Sequence, residues 1–455
     1  MLFSTATAAA IDVKVGGQWQ FNYGYASNSS LMKKDETGSH NDKFRARQRI
    51  RTQIEFIADE NLSAMLNLEA NMEWGRKSDS VNGGGGAIDT DEANFVIKQA
   101  YLNWIIPNTQ VKTRMGLQGI AMPSALGTNA VLSADVAGIS ISNQFTPEVG
   151  LTVFWARAYD ASYDETDQPK GKNSFDDVDI FGVALPIKTD VIRFAPWALF
   201  ASIGKDSEFY TVKTNRNFNR AGSTFSNADF DGTGYGWWFG GAFELPVLDP
   251  FFVKIDAMYG KLDTGESDYE QSGWMVSADM GYKFSWGSVS AIGFYSSGND
   301  DDDDYGQLPI ISNDTAFNLT GAGGGFYGLA GAALRRWDGY LSDSGQGLWG
   351  LGFKIADVSF VDNLKHTLLG MWYGGTNKGD SMNNRRTTGA FKSNTTLMTS
   401  DHAWEITLVN EYKVNDNLSF RLDLGYIDLE LGNHWENKDE TKGNFFSGIG
   451  VMYSF

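Results

Sequence analysis

The stretch from Ile11 to Tyr25, IDVKVGGQWQFNYGY, decides the fold. Val13, Val15, Gly17, Trp19, Phe21, Tyr23 and Tyr25 share one parity. Asp12, Lys14, Gly16, Gln18, Gln20 and Asn22 share the other. In an extended chain the two parities face opposite sides. The alternation lasts about fourteen residues, whereas an ordinary strand has about five or six.

The same design recurs downstream. Phe44, Ala46, Ile50, Thr52, Ile54 and Phe56 oppose Arg45, Arg47, Arg49, Arg51, Gln53 and Glu55. Gln48 breaks the apolar face, which reads as a place for a subunit contact. After a turn at Ala58 to Asn61, Leu62, Ala64, Leu66, Leu68, Ala70, Met72 and Trp74 oppose Ser63, Asn67, Glu69, Asn71 and Glu73. Met65 is the apolar exception. Clear alternation also marks 111–118, 251–259, 274–284, 404–413, 418–426 and 444–455. Weaker segments are 94–106, 135–146, 148–160, 175–187, 190–204, 235–246, 287–297, 346–357 and 364–376.

The connections alternate as well. Short ones fall at Pro107-Asn108, Thr146 to Glu148, Pro186 to Asp190, Pro246 to Pro250, Ser285 to Gly287, Asp357 to Asn363 and Asn415 to Asn417. Long polar ones are 26–42, 75–93, 119–134, 161–174, 205–234, 262–269, 298–345, 377–399 and 432–441. Long, short, long, short is the rhythm of an up-and-down barrel. The expected fold is an all-β transmembrane antiparallel barrel of about 18 strands, with 16 as the alternative count. An even count puts both chain ends on the short-turn side.

A soluble sandwich alternates too, but with shorter strands and without two length classes of connection. About thirteen residues at roughly 3.3 Å, tilted by about 40–45°, cover the hydrocarbon of a bilayer. A closed barrel is the sheet that satisfies every backbone group there. Trp74, Trp104, Trp155, Trp237, Trp286 and Tyr426 fall near expected strand ends, where interface aromatics collect.

Composition agrees. The 455 residues hold 52 Gly, 14 % aromatics, 9 Pro and no Cys. Ordinary soluble packing would divide such a length into about two or three domains. Residues 1–10 instead read as a signal-peptide remnant or a disordered N-terminus, with Ala8-Ala9-Ala10 resembling a cleavage site. Residues 11–455 read as one barrel. With 37 basic and 56 acidic residues the net charge is −19, which argues against nucleic acid as a partner. The absence of Cys removes disulfides, Cys-based zinc sites and thiol chemistry. His40, His366, His402 and His434 form no metal-binding pair in sequence, and no cofactor is expected. The uncharged windows 115–134 and 315–334 carry Pro, Asn or many Gly and do not read as helical spans.

Several stretches resemble bacterial outer-membrane porins, most closely the homotrimeric porin family of sulfate-reducing bacteria. They are Ile11 to Trp19, the Arg-rich second segment, Lys98 to Leu102, Leu364 to Thr367, Gly374 to Asn377, and the end Val451-Met452-Tyr453-Ser454-Phe455. The resemblance runs along the chain. It implies a homotrimer of water-filled channels in the outer membrane of a Gram-negative bacterium, passing small hydrophilic solutes. Val451, Tyr453 and Phe455 resemble the signal read by the barrel-insertion machinery. Outer-membrane lipid and lipopolysaccharide are the expected surroundings.

In a channel the chemistry is electrostatic: fixed charges at a narrow place. Arg45, Arg47, Arg49 and Arg51, with Lys112 and Arg114, are the expected basic lining. Glu55, Glu69, Glu73 and Asp135 are the expected acidic lining. In similar porins the loop at 121–135 folds inward, and the same is expected here. Its one charge is Asp135, so a mild preference for anions follows. Against this stand two plainer readings: lumen Arg and Glu neutralise one another, or the loop lies outside.

Weaker candidates remain. Asn227, Asp229, Asp231 and Gly232 match half of a calcium loop, but Trp238 occupies the place of its bidentate Glu. Asp300 to Asp304, Asp302 among them, is an acidic run that either bridges divalent cations near lipopolysaccharide or is a solvated tip. Loop 298–345 either tucks its Gly-rich half into the mouth or hides a hairpin. Loop 75–93 is read by fold analogy as a latch onto a neighbouring subunit. A substrate-selective channel is the alternative function, with Phe154, Trp238 and Phe252 as a broken aromatic track. An enzymatic barrel is disfavoured, because no GxSxG motif occurs and no His falls on a strand beside a plausible Ser and acid.

Overall fold

The computed structural model describes residues 11–28, 31–33, 42–76, 86–88, 95–160, 177–204, 233–265, 270–299, 305–313, 346–378 and 397–455. Eighteen long strands run in chain order. They are β1 (Asp12–Ala26), β2 (Lys43–Ile57), β3 (Leu62–Glu73), β4 (Phe95–Ile105), β5 (Lys112–Ala121) and β6 (Leu132–Gln144). Then come β7 (Gly150–Tyr159), β8 (Val178–Ala184), β9 (Arg193–Ile203), β10 (Gly234–Glu244), β11 (Phe251–Asp263) and β12 (Glu270–Phe284). The last are β13 (Gly287–Ser296), β14 (Leu348–Val361), β15 (Leu364–Gly375), β16 (His402–Lys413), β17 (Leu418–Glu430) and β18 (Asn444–Ser454). Each pairs antiparallel with its neighbours in sequence. The ring closes where β18 pairs with β1, from Ala26 opposite Phe446 to Gln18 opposite Ser454. All eighteen expected segments are strands, including the weakly patterned ones.

Closure has a local steric requirement. The backbones of Gly17 and Phe455 exchange two hydrogen bonds, of 2.9 and 3.1 Å, and a Cβ on Gly17 would collide with the Arg51 carbonyl. Gly17→Val should therefore destabilise the seam by about 1–3 kcal/mol, the usual cost of overpacking. The check is the folded, heat-modifiable band in a detergent gel, which should weaken relative to the native chain.

Some boundaries differ from expectation. β14 runs on through Asp357 to Val361, with register shifts at Ile355/Val358 and Val358/Val361. The turn is thus only Asp362 and Asn363, and Asn363 takes a φ of +64°. β8 stops at Ala184 because Pro186 offers no donor, and Ile187–Lys188 resumes the pairing with β9. The connection expected at 119–134 shortens to 122–131, because β5 extends to Ala121 and β6 begins at Leu132.

The outer face is apolar and carries aromatics at both ends of the strands. Near the long-loop rim Trp274 stacks on Tyr295, with centroids 5.1 Å apart, and Trp404 meets Tyr426 at a tilt, with centroids 5.3 Å apart. Near the short-turn rim Phe284 stacks on Trp286 at 5.0 Å, and Phe251 meets Tyr282 edge-on at 4.7 Å. These levels suit two bilayer interfaces. Gln48, the polar break on this face, is satisfied within its own chain. It accepts from the Trp74 indole at 3.0 Å and donates toward the Met72 sulfur at 3.2 Å.

Candidate functional site

The antiparallel register of β1, β2 and β3 builds the inward charges into rows. Asn22, Arg47 and Glu73 form one row, Gln20, Arg49 and Asn71 the next, and Gln18, Arg51 and Glu69 the third. Glu69 lies 2.5 Å from Arg51 Nε and 3.7 Å from Arg49 Nε. Glu73 lies 3.7 Å from Arg45 and 3.8 Å from Arg47, and Arg76 reaches it at 3.6 Å. Arg49 also donates to Asn71 at 3.0 Å, and Asn71 in turn donates to Glu69 at 2.6 Å. Four strand arginines thus share two carboxylates. Neutralisation along this file is therefore real.

The remaining expected residues separate. Arg114 lies over the Tyr101 ring, 4.1 Å from its centroid, and donates to Asn103 at 2.8 Å. Lys112 is exposed at the short-turn end of β5. Glu55 stands opposite Lys14 on β1 and Met65 on β3. Asp135 departs from the expectation. Ala134 and Val136 pack on the interior cluster, whereas Ala137 and Ile139 are exposed outside, and Asp135 has their parity. It therefore faces outward, where Lys98 reaches it at 2.8 Å and the Gln99 amide at 2.7 Å. A register irregularity in β4 between the partners of Asn67 and Leu68 accompanies this contact.

Connection 122–131 folds into the barrel, as expected. Its tip reaches Asp256 on β11, five strands away, a carboxylate that is only 2 % exposed. Asp256 accepts from Ser124 Oγ at 2.5 Å, Ala125 N at 2.7 Å and Leu126 N at 3.3 Å. Asn129 braces the loop internally. Its amide donates to the Pro123 carbonyl at 3.0 Å and accepts from Val131 N at 2.9 Å. The ten residues of the loop carry no charge.

A second segment, 305–313, also crosses the interior. Ile311 N donates to the Val131 carbonyl at 2.9 Å, and Ser312–Asn313 pairs parallel with the start of β6. The Trp238 indole donates to the Pro309 carbonyl at 2.7 Å. Gln271 donates to the Gln307 carbonyl at 2.9 Å, and Gln307 donates to Asn377 at 2.7 Å. Sequence reasoning looked to the Gly-rich half of this connection instead. The apolar run Leu308 to Ile311, inside a polar loop, was the available signal.

Behind the two segments lies a dry arc. Phe154, Ile180, Trp197, Leu199, Ile203 and Trp238 point inward from β7 to β10 and are buried in one cluster with Val131, Leu308 and Ile310. Phe154 and Trp238, two of the three aromatics of the alternative track, therefore belong to a packed core. Trp238 fits only because Gly260 faces it, and a Cβ there would collide with the indole. Trp238→Ala should cost about 3–5 kcal/mol, as large-to-small core changes do. It should also free the Pro309 carbonyl and raise conductance. The two readouts are the denaturation midpoint in detergent and the single-channel current. By contrast, the inward faces of β1 to β3 are polar over their middle, Met65 excepted.

One constellation escaped the sequence reading. At the long-loop rim Ser400 Oγ lies 3.2 Å from His434 Nδ1, and Asp401 Oδ2 lies 3.6 Å from His434 Nε2. The acid separation exceeds a hydrogen bond, so the ring is not oriented as a catalytic base requires. Asp401 is instead occupied by Met398 N at 2.8 Å, Gly432 N at 2.7 Å and the Trp435 indole at 2.9 Å. The set ties two rim loops together. Among the described residues no group of three or more His, Asp and Glu could hold a metal ion. Asp229, Asp231 and Asp302 lie outside the described residues.

No family model matches the chain, and no curated protein matches it by sequence. Solved structures match it by shape. The chain is similar to OccK8 (OprE) of Pseudomonas aeruginosa, with a TM-score of 0.55 and 10 % identity over 98 % of each chain. It is similar to OccAB3 of Acinetobacter baumannii, with a TM-score of 0.54 and 10 % identity over 97 % of this chain and 99 % of that one. A BenF-like porin from Pseudomonas fluorescens Pf-5 gives 0.53 at 9 % identity over 98 % of each. At such identity the likeness shows the fold: a porin-type closed barrel of eighteen strands.

Proposed function

We propose that the chain is an outer-membrane channel of a Gram-negative bacterium, through which small hydrophilic solutes diffuse with a mild preference for anions. One observation carries the reading. Four arginines on β2 share two glutamates at the wall, while the inner loop carries no charge. The two inner segments close the apolar arc and leave solutes the side lined by β1 to β3. A field of excess positive charge in a low-dielectric opening concentrates anions. The long-loop rim then faces the exterior and the chain ends face the periplasm.

The test is current through the purified protein in planar bilayers, under a KCl gradient. An ohmic, unsaturated current with a reversal potential on the anion side is expected. A current that saturates with one solute favours the substrate-selective reading, which the two inner segments also suit. No current overturns both.

The kinship with homotrimeric porins of sulfate-reducing bacteria rests on the stretches named above, and with it the trimer. Three equal conductance steps per insertion would check the trimer. Insertion machinery is the proposed reader of Val451, Tyr453 and Phe455. Lipopolysaccharide is the proposed neighbour of charges at the outer rim such as Arg157, which pairs with Asp177 at 2.6 Å and Asp179 at 2.9 Å.

A further inference from the structure

Toward the long-loop rim the outer face of β5 and β6 does not suit lipid. Neither strand contains an aromatic residue, and only at the short-turn end does Phe145 follow. At the level where Trp274 with Tyr295 and Trp404 with Tyr426 mark the interface, the outward positions are Gly119, Ala121, Ser133, Asp135 and Ala137. Small residues of this kind let two walls in a membrane approach closely. The same face carries an ion pair. Lys98 Nζ of β4 lies 2.8 Å from Asp135, and the Gln99 amide donates to the same carboxylate at 2.7 Å. The bridge crosses β5 at Gly119, where a Cβ would stand 3.1 Å from the Gln99 amide and 3.5 Å from the carboxylate. A larger residue there would crowd it. Charges on a membrane-facing wall are costly unless a partner receives them. Gln48, the other polar group of the outer face considered for a contact, is already satisfied within its own chain.

We infer that the outer face of β4 to β6 is the contact between copies of this chain, Lys98 of one copy reaching Asp135 of the partner subunit. The charges themselves point to a second copy. Lys98 stands at one flank of the face and Asp135 at the other, each the fourth residue from the long-loop end of its strand. Rotation about an axis along the membrane normal brings the cationic flank of one copy against the anionic flank of the next. The face therefore complements itself, and each charge exchanges a partner within the chain for one across the contact. The inference rests on the membrane-channel reading and gives the proposed trimer its contact surface.

The native chain has no Cys, so introduced thiols report without background. Ala100→Cys on β4 and Ala137→Cys on β6 lie one register row below the ion pair and leave it intact, both opposite Leu117. The two variants are made on separate chains of different tag length, co-expressed, and treated in outer membranes with a short bismaleimide. Each chain holds one thiol, so no link can form within a chain. A covalent band containing one chain of each length is expected from the pair. Native mass spectrometry of the detergent-solubilised native protein counts the copies. Three copies with the band sustain the contact and the trimer. Two copies with the band sustain the contact and overturn the trimer. Three copies without the band overturn the contact and leave the trimer standing, and a single copy overturns both. Charge reversal is the second test. Lys98→Glu and Asp135→Lys should each lower the assembled fraction about tenfold, because like charges then meet across the contact, and co-expression of the two should restore it. Heat-modifiable gel mobility shows that the barrels are folded. Folded reversed variants that assemble like the native protein would overturn the proposal.

Discussion

Asp256→Ala should give a larger conductance and a noisier open level than the native protein. The native carboxylate takes a hydroxyl and two backbone N–H groups from the tip of loop 122–131. Hydrogen bonds to a charged acceptor contribute about 1.5–3 kcal/mol each. Their joint loss, on the order of 5 kcal/mol, is enough to reverse the balance between a fastened and a loose tip. The freed donors find water in the lumen, so the loose state carries little penalty. The loop's own brace at Asn129 and its link to Ile311 persist, so the barrel stays folded. Asp256→Asn keeps an acceptor but loses the charge, and should fall between the two. Single-channel recordings of the three proteins check this. An unchanged current and noise in Asp256→Ala would mean that the loop is held elsewhere.

That fastening was invisible to sequence reasoning, and the reason is physical. Periodicity reports which face a residue takes, and the faces follow from backbone geometry alone. The strands of the barrel, from Ile11 to Phe455, were legible for that reason. The contact of Ala125 with Asp256 spans 131 positions and depends on how a loop crosses a closed ring. No local pattern encodes such a contact. Trp238 shows the same limit. Its parity pointed inward, but only the second segment reveals that the lumen there is filled. Asp135 differs, because the signal was present. Ile139 and Ile141 face outward, and counting back by two from them places Asp135 outside as well. The expectation followed the loop it was thought to belong to instead of the strand that holds it. Prolines behaved as their chemistry dictates: Pro186 ended β8 early because a ladder position there has no N–H to give.

Arg49→Gln combined with Arg51→Gln should move the reversal potential in a KCl gradient toward the cation side. Both guanidinium groups converge on Glu69, Arg51 at 2.5 Å and Arg49 at 3.7 Å. Removing them takes two positive charges off this wall, leaving two of the four β2 arginines beside Glu69 and Glu73. Gln is the conservative choice, because Gln18 and Gln20 already occupy the adjacent positions of β1. Potentials inside a narrow, low-dielectric opening reach several kT, so the anion-to-cation permeability ratio should fall by about tenfold. Raising the ionic strength should shrink the difference, because the Debye length drops from about 10 Å at 0.1 M to about 3 Å at 1 M. Glu69, 5 % exposed, would keep only Asn71 and lose its cations, which costs about 3–5 kcal/mol of stability. Heat-modifiable gel mobility must therefore confirm a folded barrel before the potential is read. Arg49→Glu alone makes the same change of two charges at one position and should move the potential toward cations by a similar amount. A folded double variant whose potential equals the native value would assign selectivity to charges other than this file. Arg114, whose contacts Tyr101 and Asn103 are uncharged, would then be the next cation to replace.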